Sequence, residues 1–552
     1  MRRVCQACWV TRVRQGRRVK RVCQVCWVTR VRQVRRVRRV RWVRRGRGRG
    51  VGLAHWSLTY FTAVLSNWSL TKKGRVGVMD ATEEIVVVGA GPTGLWLAAE
   101  LRLQGVPVTV LEARTERDPH SKALTVHPRT VEILGMRGLA DAFVDAGFPL
   151  PTGHFGALDT RLDFRVLDTP YPFTLFLPQA RTEELLEAHA LARGARILRG
   201  HRVTGLVQGP ESVRVEVAGP AGGYTVEARY VVGCDGTRSA VREAAGIGFP
   251  GTDASLWGWL GDVVADLTPV GGPVSRFGPE GGVMAVPMPG GLTRFVGVTP
   301  EDRGAAHPGE LTLAEMRSRV VRVLGSDCSV REPHWLSRFG NATRQADAYR
   351  AGRVLLAGDA AHMHFPTGGV GLNVGFQDAT NLGWKLAAEV KGTAEEGLLD
   401  SYHRERHPVG ARLLASTRAQ TALMAAWSVE TQALRDHLSA AIAEQPSFAR
   451  GLAEQLAALD VSYPPVSPAH PLTGTRAPDL PFADGTSLFA LMREGRHVLL
   501  DLTGGSRAAG TDRPVPGGTR RHALRPAGRE DAWGDIGTAL IRPDGHVGWV
   551  GE

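Results

Sequence analysis

Residues 85 to 88, IVVV, run directly into Gly89-Ala90-Gly91-Pro92-Thr93-Gly94 and then into a helical pattern over residues 95 to 104 that Gly105 stops. A second apolar run, residues 108 to 111, ends in Glu112, eighteen residues after Gly94. Strand, glycine turn, helix, strand and acid in that order commit the chain to a parallel βαβ unit with a dinucleotide fingerprint. Gly89 permits the turn, Gly91 lets a pyrophosphate approach the backbone, and Gly94 lets the helix pack on the strand, with Pro92 and Thr93 between them in the same turn. Glu112 stands where ribose hydroxyls are bound. Arg114 has two readings, a contact to adenine or phosphate and a solvated surface arginine.

Two further segments repeat the strand-then-turn pattern. Residues 354 to 357 form a short apolar run, and Asp359 follows just past its carboxyl end, the edge at which open α/β sheets bind ligands. The run PTGGVGLN comes next, and its Gly369, Gly371 and Leu372 can bring backbone N–H groups close to a phosphate or an electron-rich ring. Ala379, Leu382, Leu386 and Val390 then recur at helical spacing after Asn373, so the run abuts a positive helix end. The third segment, RYVVGCDGTRSAVR, reads as a strand at residues 230 to 232, a tight turn at Asp235-Gly236, and a helix starting near Ser239. Cys234 beside it reads as a packing residue.

In the order GAGPTG, GCDG, AGDAAH, these motifs make residues 83 to 552 similar to class A flavoprotein monooxygenases of the p-hydroxybenzoate hydroxylase type. SKALTVHPRTVEILGMRGL, PFTLFLPQARTEELL and RPDGHVGWV most resemble aromatic polyketide hydroxylases and rifampicin-type monooxygenases. The resemblance implies an α/β fold: a Rossmann-like FAD-binding domain (80–152, 176–250 and 346–466, with C-terminal helices), an inserted mixed β-sheet substrate domain (153–175 and 251–345) and a thioredoxin-like domain (467–552). It implies FAD, with its ADP half held by Gly89, Gly91, Gly94 and Glu112 and its ribityl chain by Asp359. Gln179 would contact the flavin side, while Gly371, Leu372 and Asn373 would face the pyrimidine edge. Asp235 and Gly236 would serve both FAD and the nicotinamide donor. The chain departs from some relatives by offering Lys122 and Leu124 where they place an arginine near the flavin, leaving Lys122 as a point charge without bidentate geometry.

The chemistry so implied belongs to the cofactor: NAD(P)H reduces the flavin, O2 adds to give a C4a-hydroperoxide, and a phenolic, polyketide-like or polycyclic ring is hydroxylated. The chain shows no nucleophile triad, HExxH or paired-carboxylate signature. His362, His364 and Pro366 flank the glycine run; the histidines read as proton relays or as satisfied structural groups, and Pro366 as a shaper of the loop. Strands at Trp257–Val264 and Thr293–Val298 with few tyrosines or histidines point to an apolar substrate pocket. Trp257-Gly258-Trp259 resembles a halogenase tryptophan pair, although Leu260-Gly261 follow in place of Ile-Pro. The last domain contains no cysteine, so its role is structural or a dimer contact, and the enzyme is expected as a monomer or homodimer.

Of the 68 Lys and Arg, 22 lie in the first 79 residues, which hold no acid, leaving 46 to face 54 acidic residues elsewhere. The mildly acidic body argues against nucleic-acid or membrane partners and the lack of a disulfide framework for a cytoplasmic protein, while the resemblance implies a role in antibiotic biosynthesis or modification. Residues 4 to 15 recur almost unchanged at 22 to 33. Their paired CxxC spacings read as a zinc site on a nucleic-acid-binding arm, or as a low-complexity extension that is disordered or not native. Residues 51 to 70 are too polar for a good membrane span. Met79 lies a typical distance before a first strand, so translation is expected to start there; an intact mass from the native source that lacks residues 1–78 checks this, and a mass that includes them contradicts it.

Overall fold

In the computed structural model, residues 77–465, 469–505, 515–527, 533 and 536–551 are described. The strand leading into the fingerprint, Gly77–Val88, lies between Val108–Glu112 and Gly222–Gly233 and pairs with both in parallel. Outside these, Arg196–Arg199 and Val354–Leu356 continue the sheet, again in parallel. Ile85, Val86, Val110, Val231, Val232 and Leu355 are completely buried, as strands covered on both faces require. Parallel pairing sets all carboxyl ends on one edge. The turns after residues 88, 233 and 356, and Glu112, therefore stand side by side although up to 268 positions of chain separate them. Two antiparallel strands, Arg202–Gln208 and Val213–Gly219, extend the sheet. Val213, Val215 and Val217 point inward while Arg214 and Glu216 stay exposed, the alternation of a one-sided sheet.

Helix Pro92–Leu103 begins three residues earlier than its apolar pattern suggests, because Gly91 serves as N-cap and Pro92 occupies the first turn. It packs between helices Gln179–Ala192 and Gly371–Val390. The latter is buried continuously from Asn373 through Ala387, so its polar residues Asn373, Asp378, Asn381 and Lys385 need partners inside the protein.

A separate antiparallel sheet runs in the order Val274–Gly278, Gly281–Pro287, Thr293–Val298, Trp257–Val264, Arg331–Gly340. Helix Leu313–Leu324, capped by Thr312 and ended by Gly325, closes one face with Met316 and Val320 against Trp259, Val263 and Phe295. Residues 153–175, grouped with this sheet on sequence, pair elsewhere. Thr152–Gly153 pairs only with Leu162–Asp163, and Thr174–Phe176 joins Phe148–Leu150 and Thr125–Val126. Leu158, Leu162 and Phe164 find their apolar partners in Leu423 and Leu456 of the late helices, and this burial outweighs extending a sheet edge.

The C-terminal part is a four-stranded sheet centred on Val498–Asp501, parallel to Arg520–Ala523 and antiparallel to Thr538–Ile541, which pairs with Val547–Gly551. Its Leu480, Phe482, Met492 and Val498 share one core with Leu134 and Met136 of the body. Among the described residues no helix is long and apolar enough to cross a membrane.

Burial pushes the imidazoles of His127 and His546 down to about 4. Unfolded, each would take a proton near pH 6.5, so both stabilise the fold above that pH and lose their contribution as pH falls toward 4. The slope is up to about 1.4 kcal/mol per pH unit for each. Thermal melts between pH 7 and 5 should show Tm falling, and falling less steeply in His127→Gln; identical pH profiles for the two proteins would contradict this.

Candidate functional site

The three turns interlock through backbone. Gly89 sits at φ +103°, and a Cβ there would meet the Cys234 carbonyl oxygen at 2.4 Å. The Gly89 N–H donates to Leu111 O at 2.8 Å and the Cys234 N–H to Val88 O at 2.8 Å, stitching the fingerprint to the turn before Asp235. A Cβ on Gly94 would lie 2.0 Å from Gly89 O, whereas one on Gly91 would meet nothing within 4 Å. Gly91 therefore opens an uncovered approach to the N-terminus of Pro92–Leu103, a ready anion seat. Thr93 joins the third turn: its Oγ1 would be 2.7 Å from a Cβ on Gly358 and 2.4 Å from one on Gly375.

Polar groups line this edge. Glu112 accepts from the Ala90 N–H at 2.7 Å and the Arg114 N–H at 2.8 Å. Arg114 itself is exposed and paired with Asp118 at 2.8 Å. Asp235 accepts from the Val241 N–H at 3.2 Å through one oxygen, while its Oδ1 is buried without a hydrogen-bond partner among the described residues. Burial raises its carboxyl above the usual range. Beyond it, Gly236 borders open space. Asp359 is exposed at the carboxyl end of Val354–Leu356, while its neighbour Gly358 donates its N–H to Asp378 at 3.1 Å.

Asp378 was not singled out by sequence reasoning, and neither was Arg406. Asp378 accepts from Arg406 Nε at 2.7 Å and contacts His362 Nε2 at 2.7 Å, with all three side chains at most 1% exposed. Burial alone would raise the Asp378 carboxyl, but Arg406 and His362 outweigh it and hold it down to about 2. His362 is thus buried and fastened to Asp378 beneath the turn.

The glycine run is tied down by residues from far upstream. Gly369, at φ +65°, leaves no room for a Cβ, which would meet Thr125 Oγ1 at 2.1 Å. Asn373 accepts from the His127 N–H at 2.8 Å and donates to Thr125 O at 3.1 Å and Gly369 O at 3.0 Å, and the His127 ring contacts Gly368 O at 2.7 Å. Its side chain is occupied, so what Asn373 offers a ligand is backbone, with Gly371 and Leu372 in the first helical turn whose N–H groups have no intrahelical acceptor. Pro366 is exposed and caps the turn Thr367–Gly369. His364 Nε2 would lie 3.4 Å from a Cβ on Gly371, and burial lowers its pKa.

Gln179 accepts from the Ala123 N–H at 3.0 Å and donates to Glu183 at 2.8 Å, so it braces the loop carrying Lys122. The Lys122 side chain is exposed. A buried arginine also approaches this loop's backbone: Arg294, paired with Asp262 at 2.6 and 2.7 Å, reaches Lys122 O at 3.5 Å. Among the described residues no cluster of three His, Cys, Asp or Glu could hold a metal. The CxxC repeat lies outside the described residues.

Residues 82–417 match the FAD binding domain family, and residues 470–552 the aromatic-ring hydroxylase C-terminal family. The chain is 45% identical over 477 residues to an uncharacterised aromatic compound monooxygenase of Bacillus subtilis, covering 85% of this chain and 94% of that one. It is 45% identical over 483 residues to the rifampicin monooxygenase of Streptomyces venezuelae, covering 85% and 96%. The solved anhydrotetracycline hydroxylase from Streptomyces rimosus superposes with a TM-score of 0.76 at 41% identity, covering 85% and 96%. These relatives favour oxygenation over the halogenase reading of Trp257 and Trp259. Trp259 is fully buried, and its ring would lie 2.2 Å from a Cβ on Gly297, so it is sheet core.

Arg406→Ala would leave Asp378 buried with only His362 and the Gly358 N–H as partners, at a cost of about 3 to 5 kcal/mol. Chemical denaturation should show that loss; a change below about 1 kcal/mol would contradict the pairing.

Proposed function

The chain belongs to the FAD-dependent aromatic-ring monooxygenases, and from that footing we propose that it hydroxylates a large apolar phenol of the aromatic polyketide kind, using O2 and NAD(P)H. One observation carries the placing of the cofactor: three distant turns and Glu112 share one edge of a parallel sheet and contact one another around Thr93. The residues there fit FAD. Open space over Gly91 and the helix end at Pro92 and Thr93 suit the pyrophosphate, and Glu112, held by two N–H groups, suits the adenosine ribose. Exposed Asp359 suits the ribityl hydroxyls, and the unpartnered Asp235 Oδ1 beside Gly236 suits a further cofactor hydroxyl. Gly369, Gly371, Leu372 and Asn373 offer backbone to the flavin's pyrimidine edge, while Gln179 shapes the loop of Lys122 on its other side.

Bound there, FAD supplies electron transfer from NAD(P)H and activation of O2. The chain's own residues hold, orient and keep dry. The free N–H groups at the start of Gly371–Val390 favour negative charge, with neutral His364 beside them. Phe365, next to Pro366, belongs to an apolar cluster with Leu256, Val298, Phe277, Phe339 and Trp427, in which the Phe339 and Phe365 rings lie 5.1 Å apart. This buried cluster joins the antiparallel sheet to the glycine loop, and the apolar, aromatic character it gives that region supports an aromatic, uncharged substrate over a small acid. The mixed sheet of residues 498–551 supports a thioredoxin-like reading, and without cysteine it performs no dithiol chemistry.

Asp359→Ala should weaken FAD binding about tenfold or more, the loss of a charge-assisted hydrogen bond; unchanged flavin occupancy would show the ribityl contact misplaced. With NADPH, O2 and a panel of polyketide phenols, wild-type protein should release a product heavier by one oxygen atom. NADPH oxidation indifferent to every phenol, with no oxygenated product, would contradict the proposal.

A further inference from the structure

The Asp378–Arg406 pair beneath the Gly358 turn does not stand alone. Arg406 also donates through Nη1 to the Tyr463 hydroxyl at 3.2 Å and through Nη2 to Val374 O at 3.4 Å. The Tyr463 ring lies 4.2 Å from the ring of His546, a residue of the C-terminal domain. His546 closes a short loop with Arg542 and Asp544: the His546 N–H donates to Asp544 at 3.2 Å, and Arg542 pairs with Asp544 at 2.5 Å. This loop grips both sides of the Asp378–Arg406 pair. Asp544 accepts from Asn381 at 3.2 Å and Trp384 at 3.4 Å, one and two turns beyond Asp378 on its own helix. Arg542 pairs with Glu405, the residue before Arg406, at 2.7 and 2.8 Å, and Lys385 joins the same carboxylate at 2.7 Å.

So many buried charges are poor material for stability alone, since well-packed apolar residues of equal volume serve at least as well; what buried ion pairs do best is fix one arrangement. The packing here is close: the space left among Arg129, Gln377, Thr380, Tyr463, Asp544 and His546 is only about 10 Å³, and Gln377 Nε2 has no hydrogen-bond partner among the described residues.

We propose that the Arg542–Asp544–His546 loop is a positioning element for FAD: through Tyr463, Arg406 and the helix bearing Asp378, the C-terminal domain fixes the Gly358–Asp359 turn. The role rests on the placing of the ribityl chain at Asp359. It gives the cysteine-free domain a part in cofactor binding without a redox step of its own.

The test titrates apoprotein with FAD and records the visible spectrum of the bound flavin. Tyr463→Phe removes one hydroxyl, and Asp544→Asn loosens the loop without touching Arg406. Both should raise the FAD Kd five- to tenfold and shift the flavin bands. Gln104→Ala breaks a different contact between the C-terminal domain and the body, the hydrogen bond from Gln104 Nε2 to Gly495 O, off this path. It should lower Tm while leaving Kd within twofold and the spectrum unshifted. Wild-type Kd and spectrum in Tyr463→Phe or in Asp544→Asn would overturn the proposal, as would equal weakening of FAD by Gln104→Ala. If Asp359→Ala keeps its FAD, the ribityl placement fails by itself, and Tyr463→Phe and Asp544→Asn still decide whether the loop acts on the cofactor.

Discussion

Parallel pairing of Gly77–Val88 with its two neighbours is the constraint on which everything else depends. A parallel strand must return to the same starting edge, so each crossover carries its following turn back to the same opposite edge. Four separate stretches of sequence thereby place a glycine turn or a carboxylate along one line. None of these stretches is a site by itself, and register alone makes them one.

At that line the selective pressure on residue size is steric and sharp. Gly89, Gly94, Gly358 and Gly375 each face backbone or Thr93 at distances a Cβ could not occupy, while Gly91 faces open space. The first group holds the turns against one another and the last leaves room for a ligand. The Asp378, Arg406 and His362 network beneath performs a second task, satisfying the Gly358 N–H and pinning its turn in a region from which water is excluded.

The sequence displayed what local chemistry encodes. The fingerprint from residue 85 to Glu112, the strand before Asp359 and the strands at Trp257–Val264 and Thr293–Val298 were legible because each is a continuous local pattern. The Asp378–Arg406 pair was not, since nothing local marks an arginine on one helix as the partner of an aspartate on another. Asn373 was legible as part of the glycine run, but its side-chain partners Thr125 and His127 lie far upstream in another element. The pairing of the short strands within residues 153–175 was not legible because two- and three-residue strands carry no periodicity, and their apolar residues pack against the late helices. Lys122 illustrates a further limit: the loop's own lysine is exposed, and a buried arginine from the distant sheet approaches the loop's backbone.

The most direct measurement is a crystal structure of the protein with FAD bound. The account predicts the pyrophosphate over Gly91 at the start of Pro92–Leu103, a ribose on Glu112, the ribityl chain at Asp359 and the flavin ring against Gly369 through Asn373. FAD bound away from this sheet edge, or with its flavin ring at Glu112 and its adenine at Asp359, would contradict it.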